Sequence, residues 1–256
     1  MKALITGASG GIGREIAKVL AERGCELILC SRDKAALTAL AEELPVRCKV
    51  VATDLSVEEN CRKLYEQTRN DNVEILVNNA GFGVFGAFEK TDLDAELELI
   101  NLNIRAVHVL TKLFLKDFRK RSGACYILNV SSMAGFFAGP LFSSYYASKN
   151  YVTRLSEGIA EELRRERANV SLSLLCPGPV PTGFGKRAGV SFGLSGTPVR
   201  FVAESAVRGM FARKLYIVPG VSNKLLRFLG AVFTSRFCAR IVYSLQSAKK
   251  IVRGNS

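Results

Sequence analysis

The chain alternates between short, nearly unbroken apolar runs and longer segments in which apolar positions return every three or four residues. The runs are "KALIT", "ELILC", "CKVVAT", "EILVNN", "CYILNVSS", "VSLSLLC" and "KLYIVPG". Their length and continuity suit strands covered on both faces. Helical periodicity occupies about residues 13–23, 33–44, 57–70, 93–119 and 146–167. Gly24 suits the end of the first helix, Asp33 the start of the second, and Ser56, with Glu59 three residues on, the N-cap of the third. Strands joined through helices pair in parallel by right-handed crossovers, so the pattern predicts an α/β fold, a doubly wound and mostly parallel sheet of seven strands. In such sheets ligands lie beyond the carboxyl ends of the strands, where the strand order reverses. Chemistry is therefore to be sought just after each strand.

After the first strand comes "TGASGGIG", Thr6 to Gly13. Gly7, Gly11 and Gly13 permit a tight turn, close approach to a pyrophosphate and close packing of the following helix, whose N-terminal amides favour an anion. Ser9 and Ile12 lie within the same turn. No Lys-Ser or Lys-Thr follows the last glycine, which excludes a Walker loop. "NNAG" follows the fourth strand, "PGPVPT" follows the sixth, and "SSYYASKN" opens a helix. Four residues make one helical turn, so Tyr145 and Lys149 share a face, whereas Tyr146 pairs in register with Asn150.

These four motifs, in the family's order along the chain from Thr6 to Thr182, resemble the short-chain dehydrogenase/reductase family. The resemblance implies a Rossmann-type fold that transfers a hydride between nicotinamide and a carbonyl or secondary alcohol. Tyr145 is then the acid/base, and Lys149 holds the nicotinamide ribose and perturbs Tyr145. Ser132, thirteen residues before the tyrosine, binds the substrate oxygen in place of its neighbour Ser131. An asparagine in the long helix supports a proton relay; Asn103 keeps the family's spacing, with Asn101 as the alternative. Asp54 and Leu55 fall at the adenine ring. Asn79, Ala80 and Gly81 line the cofactor, as do Pro177, Gly178 and Val180, while Thr182 positions the carboxamide. The ammonium of Lys149 and the charge of oxidised nicotinamide are expected to lower the tyrosine from its usual pKa of ~10.

The second strand ends "ILCSRDK". An NAD enzyme usually places a carboxylate there for the ribose hydroxyl, but Cys30 stands at that position, followed by Ser31 and Arg32, which suit a 2′-phosphate. NADP(H) is the expected cofactor, with NAD(H) the alternative. The tail "IVPGVSNK", Ile217 to Lys224, is similar to that of bacterial short-chain dehydrogenases of unassigned substrate.

At 256 residues and 48% hydrophobic, the chain accommodates one domain. Residues 1–221 form the expected catalytic domain, with a substrate loop over about 183–204, and residues 222–256 an extension. The opening "MKALITG" reads as a strand with no leader, so the expected location is the cytoplasm, with the extension peripheral to a membrane as an option. Seven cysteines without a C-x-x-C signal neither a disulfide framework nor a metal site, and they read as reduced, mostly buried thiols. The lone His108 reads as structural. The net charge of +13 is concentrated late: from Arg208 to Arg253 there are ten lysines and arginines and no acid. That extension is expected to pack on the domain or across an oligomer interface, or to meet an anionic membrane as a basic amphipathic helix. It is too interrupted by charge to span a bilayer. Expected partners are a small carbonyl or alcohol and further copies of the chain, as dimer or tetramer. Nucleic acid is not expected, because positive charge alone supplies no reading motif. A 3-oxoacyl-thioester reductase and a cofactor-binding regulator with little turnover are the competing functions.

Overall fold

A computed structural model describes residues 1–191 and 196–251. Part of the expected substrate loop, residues 192–195, and the chain end with Arg253 lie outside the described residues. The order is β1 (Lys2–Thr6), α1 (Gly11–Ala21), β2 (Glu26–Ser31), α2 (Lys34–Glu43), β3 (Cys48–Ala52), α3 (Glu58–Thr68) and β4 (Ile75–Asn78). It continues with α4 (Leu93–Ile100), α5 (Val107–Phe118), β5 (Cys125–Val130), α6 (Ser143–Arg165) and β6 (Val170–Leu175). Then come α7 (Phe184–Arg187), β7 (Val190–Ser191), α8 (Val199–Phe211), β8 (Tyr216–Ile217), α9 (Val221–Val232), α10 (Ser235–Ser247) and β9 (Lys250–Ile251).

Seven strands form one parallel sheet in the order β3-β2-β1-β4-β5-β6-β8. Alternation along each strand sends side chains to opposite faces. Leu4, Ile28, Leu76 and Ile127 join a core with α3, α5 and α6, while Ala3, Ile5, Leu27 and Val77 join another with α1, α2 and α8. Each fully buried Leu or Ile contributes about 1.5–3 kcal/mol relative to exposure, so both apolar faces hold the sheet in register. The order reverses between β1 and β4, which opens a crevice at their carboxyl ends.

Three local expectations change. The expected helix over 93–119 is α4 and α5 separated by a π-helical turn, Asn101–Ala106, a wider turn that often marks functional positions. Ser56 is not the cap of α3; its hydroxyl donates to Asp54 Oδ1 at 2.8 Å, and Val57 occupies the cap position without a side-chain bond. Attraction to that carboxylate, two residues back, outcompetes the helix amides for the hydroxyl. The helix expected from residue 146 begins at Ser143, which places Tyr145 inside its first turn. Asp33 does cap α2, accepting from Ala36 N at 2.9 Å.

A two-stranded antiparallel pair joins the tail to the substrate loop, with Val190 opposite Ile251 and Ser191 opposite Lys250. No helix among the described residues is long and apolar enough to cross a membrane.

Candidate active site

A cleft of about 550 Å³ opens at the crevice. Its floor is the glycine loop. Gly7 has φ +66°, and a Cβ there would stand 2.9 Å from Ala80 Cα; a Cβ on Gly13 would stand 2.4 Å from Gly7 O. Only glycine permits both approaches. Gly7, Ser9, Gly11 and Ile12 face the cleft, whereas Gly13 is buried beneath them. Helix α1 begins at this loop with neither a side-chain cap nor an acid in its first turn, so its amides favour an anion.

The second wall is fastened to the first. Thr6 Oγ1 accepts from Asn79 N at 2.9 Å and Ala80 N at 3.1 Å, while Asn79 Nδ2 donates to Thr6 O at 2.9 Å and Gly7 O at 3.1 Å. Asn79, Ala80 and Gly81 line the cleft beside Asp54 and Leu55. Pro177, Gly178, Val180 and Thr182 form the opposite rim. Thr182 reaches across, its Cγ2 lying 3.3 Å from where a Gly11 Cβ would stand.

At one end lie Ser31 and Arg32. Arg32 donates to Glu98 Oε1 at 3.0 Å and lies 3.6 Å from Asp54 Oδ2. Arg187, from α7, donates to the same Glu98 oxygen at 3.4 Å and stacks over Phe82, 4.1 Å from the ring centroid. Burial, then the neighbouring Arg32, draws Arg187 below its ordinary range. Against burial, which raises it, the Ser56 hydrogen bonds and Arg32 hold the Asp54 carboxyl below its usual value.

At the other end α6 presents Tyr145, Ser148, Lys149, Val152 and Ser156 on its buried face. Tyr145 lines the cleft with Ser132, whose hydroxyl opposes the effect of burial on the phenol, and stacks on Phe142, ring centroids 4.7 Å apart. Lys149 Nζ donates to Val130 O at 2.9 Å and lies 5.9 Å from the Tyr145 ring centroid. Ser131 turns away from the tyrosine: its hydroxyl donates to Lys149 O at 3.1 Å and meets Thr153 at 2.8 Å, so it fastens α6 to β5. Asn103 is fully buried. Its Oδ1 accepts from Phe82 N at 3.1 Å, and its Nδ2 donates to Phe82 O at 2.9 Å and Ser148 Oγ at 3.1 Å. A Cβ on Gly81 would lie 2.8 Å from Asn103 Oδ1 and 3.5 Å from Lys149 Nζ, so the glycine lets these two side chains converge.

The expected lowering of the tyrosine does not hold for the protein alone. Burial pushes Tyr145 up to about 12, with the Ser132 hydroxyl opposing. Burial likewise draws Lys149 down to about 8. Withdrawal from water outweighs the effect of an ammonium that is directed to a backbone carbonyl.

Several residues of the site carried no local sequence signal. Asn78 Nδ2 donates to Thr111 Oγ1 at 3.0 Å and Asn129 Oδ1 at 2.9 Å, and Asn129 Nδ2 donates to Ser156 Oγ at 2.9 Å. This buried ladder ties β4, β5, α5 and α6 behind the cleft. Gln246 and Lys249, at the end of α10 and just beyond it, also line the cleft. Asn223 Nδ2 donates to Pro219 O at 2.7 Å, and the side chain packs on Gly178. His108 Nδ1 lies 2.8 Å from the Tyr151 hydroxyl, on the surface. All seven cysteines are free thiols, with six buried and Cys48 partly so.

Comparison with known proteins gives four further findings. A very-long-chain 3-oxoacyl-CoA reductase of Anas platyrhynchos is 31% identical over 264 residues, covering 98% of this chain and 80% of that one. A short-chain dehydrogenase from Sphingobium yanoikuyae, solved in complex with NADPH, superposes with a TM-score of 0.81 at 28% identity, covering 100% of this chain and 98% of that one. A short-chain dehydrogenase/reductase from Burkholderia phymatum, solved with NAD, gives 0.82 at 26% identity over 89% of this chain and 92% of that one. The profile described as short chain dehydrogenase matches residues 1–189, most of the chain and the cleft lining from Gly7 to Arg187, and the protein belongs to the short-chain dehydrogenase/reductase family of nicotinamide-dependent oxidoreductases.

Proposed function

We propose that the protein is an NADP(H)-dependent carbonyl reductase, reversible as an alcohol dehydrogenase, in which Tyr145 gives and takes the proton. The observation that carries this reading is the meeting of Ser132 and Tyr145 in one cleft, with Lys149 one turn along the same helix, beside the glycine loop.

The residues fit a dinucleotide. The close-packed glycine loop and the uncapped start of α1 suit its pyrophosphate, Asp54 and Leu55 its adenine, Lys149 its nicotinamide ribose and Thr182 the carboxamide. Ser31 and Arg32 suit a 2′-phosphate, because a guanidinium pairs with it in bidentate fashion. NADPH, when bound, supplies the hydride equivalent for the carbonyl carbon.

The chain's own groups manage the oxygen. Ser132 donates a hydrogen bond to it, and the donation strengthens as negative charge develops. Tyr145 transfers its proton to the same oxygen. A phenol pushed up to about 12 stays protonated at neutral pH, which suits it to donate to an alkoxide. Lys149 brings positive charge beside the phenol, and Asn103 fixes the Phe82 backbone beneath Gly81.

A second reading, a 3-oxoacyl-thioester reductase, is favoured by the relative from Anas platyrhynchos, whose similarity runs through the tail. A regulator without turnover has no use for the proton-transfer set and ranks behind both. The homo-oligomer is supported by Leu93, Leu97 and Ile100, which form an exposed apolar stripe on α4. The tail supports contact with an anionic membrane: Val221, Leu225, Phe228, Val232, Tyr243 and Leu245 are each more than half exposed on α9 and α10, in a stretch without acids.

The test is NADPH consumption over a panel of ketones, aldehydes and acyl thioesters, after separate titrations with NADPH and NADH. Tight NADPH binding with turnover supports the reading, and the preferred compound separates ketone from thioester. Absence of binding to either nucleotide overturns it. Co-sedimentation with phosphatidylserine vesicles at low salt tests the tail.

A further inference from the structure

The C-terminal helix reaches back into the catalytic cleft. Gln246, on the last turn of α10, is 3% exposed and lines the same cleft as Ser132 and Tyr145. Its Nε2 donates to the Tyr146 hydroxyl at 2.9 Å, and the Tyr146 ring stands 6.2 Å from that of Tyr145. Its Oε1 is buried and has no hydrogen-bond partner among the described residues. An unpaired buried acceptor is costly, and one carried by a side chain that lines a cleft is explained when a ligand completes it.

The surroundings fix this amide in place. Tyr146 lies against Gly139, where a Cβ would stand 2.1 Å from its ring, so the phenol cannot swing aside without displacing backbone. Tyr146 also occupies the position next to Tyr145, which ties the amide to the first turn of α6. Lys249, three residues beyond Gln246, lines the same wall. Beyond it the chain pairs as β9 with β7 of the substrate loop. The tail is thus held at the cleft on both sides of Lys249, through Tyr146 and through the loop.

We infer that Gln246 is a substrate-recognition residue: its Oε1 accepts a hydrogen bond from a hydroxyl or amide N–H borne by the substrate away from the reacting carbonyl. The substrate class is therefore a hydroxylated or amide-bearing carbonyl compound rather than a plain ketone. Phe142 and Phe184, both in ring contact with Tyr145, supply the apolar part of the same pocket. A site that presents a fixed acceptor rejects an analogue lacking the donor, because the acceptor is then left buried and unpaired. This inference rests on the cleft being a carbonyl-reducing site.

The experiment compares hydroxy ketones with their O-methyl ethers, which keep the oxygen but cannot donate. Two readouts are taken on the full chain: NADPH-dependent turnover, and thermal stabilisation of the NADP⁺-loaded protein. Wild type is expected to favour the hydroxy ketone over its ether by about tenfold or more in kcat/KM. Gln246→Leu should bring the ratio towards one by slowing the hydroxy ketone alone, with NADPH affinity unchanged, and Gln246→Glu, which keeps an acceptor, should restore part of it. Equal use of ketone and ether by wild type overturns the inference, as does a Gln246→Leu variant that slows both equally. Failure of the carbonyl-reductase reading looks different: no compound drives NADPH consumption. The thermal comparison still decides recognition in that case, since hydroxylated compounds that stabilise no better than their ethers overturn the role of Gln246.

Discussion

Glu98 accepts hydrogen bonds from Arg32 and Arg187 through one carboxylate oxygen, at 3.0 and 3.4 Å. Two guanidiniums from distant segments, the end of β2 and helix α7, are thereby held at the same end of the cleft with one shared counter-charge. A dianionic 2′-phosphate would compete with Glu98 for both. Arg32→Ala is expected to weaken NADPH binding by about tenfold or more, the loss of a charge-assisted pair, with little change for NADH. Glu98→Gln should strengthen NADPH binding by releasing both cations. Titrations at low and high salt check this, since the effect of these exposed charges shrinks as salt rises.

Lys149 gives a prediction about stability. Burial brings its ammonium down to about 8, whereas an unfolded lysine titrates near 10.4. The folded protein thus releases this proton first, so the cost of burying the charge is present below pH ~8 and is relieved as pH rises towards ~10.4. The stability of wild type relative to Lys149→Met should rise by about 1–3 kcal/mol across that window. Urea unfolding of both proteins at pH 7.5 and 10 measures it.

Gly13 tests the floor of the cleft. A methyl group there meets Gly7 O at 2.4 Å and Asn79 Nδ2 at 2.3 Å, one a backbone atom and the other the clamp that joins the two walls. Gly13→Ala should cost about 1–3 kcal/mol by overpacking and weaken both nucleotides together. Gly123, where an added Cβ meets nothing within 4 Å, is the control, and Gly123→Ala should change neither property.

Asn103 is expected to act through position. Asn103→Ala leaves both backbone groups of Phe82 without this partner, which should cost about 1–3 kcal/mol of stability. Turnover should fall through kcat more than through KM, because Gly81 packs against this side chain and Ser148, the neighbour of Lys149 on α6, is bonded to it. Thermal unfolding and steady-state kinetics on one preparation separate the two effects.

Much of this was legible in the chain because it is local. A strand that is apolar on both faces, a glycine turn of fixed spacing and a tyrosine one helical turn before a lysine each declare themselves within a few residues. The choice of Ser132 over Ser131 rests on the family's thirteen-residue spacing to the tyrosine, and in the fold Ser131 is taken up by Lys149 O and Thr153 while Ser132 lines the cleft with Tyr145. The π-helical turn around Asn103 was hidden, since a continuous helical period looks the same with or without one wide turn. The Glu98–Arg187 pair spans 89 residues and the Tyr146–Gln246 pair 100, and neither has a spacing that sequence can reveal. The upward shift of Tyr145 in the protein alone had no local signal either, because burial is a property of the packed site.

The most direct measurement pairs wild type with Tyr145→Phe: NADPH affinity, then single-turnover NADPH oxidation with the preferred carbonyl compound. The account predicts that the variant folds, binds NADPH as wild type does and loses ~10²–10⁴ of the rate, the range supplied by a positioned proton donor. A variant that oxidises NADPH at nearly the wild-type rate would remove Tyr145 from the chemistry and contradict the account.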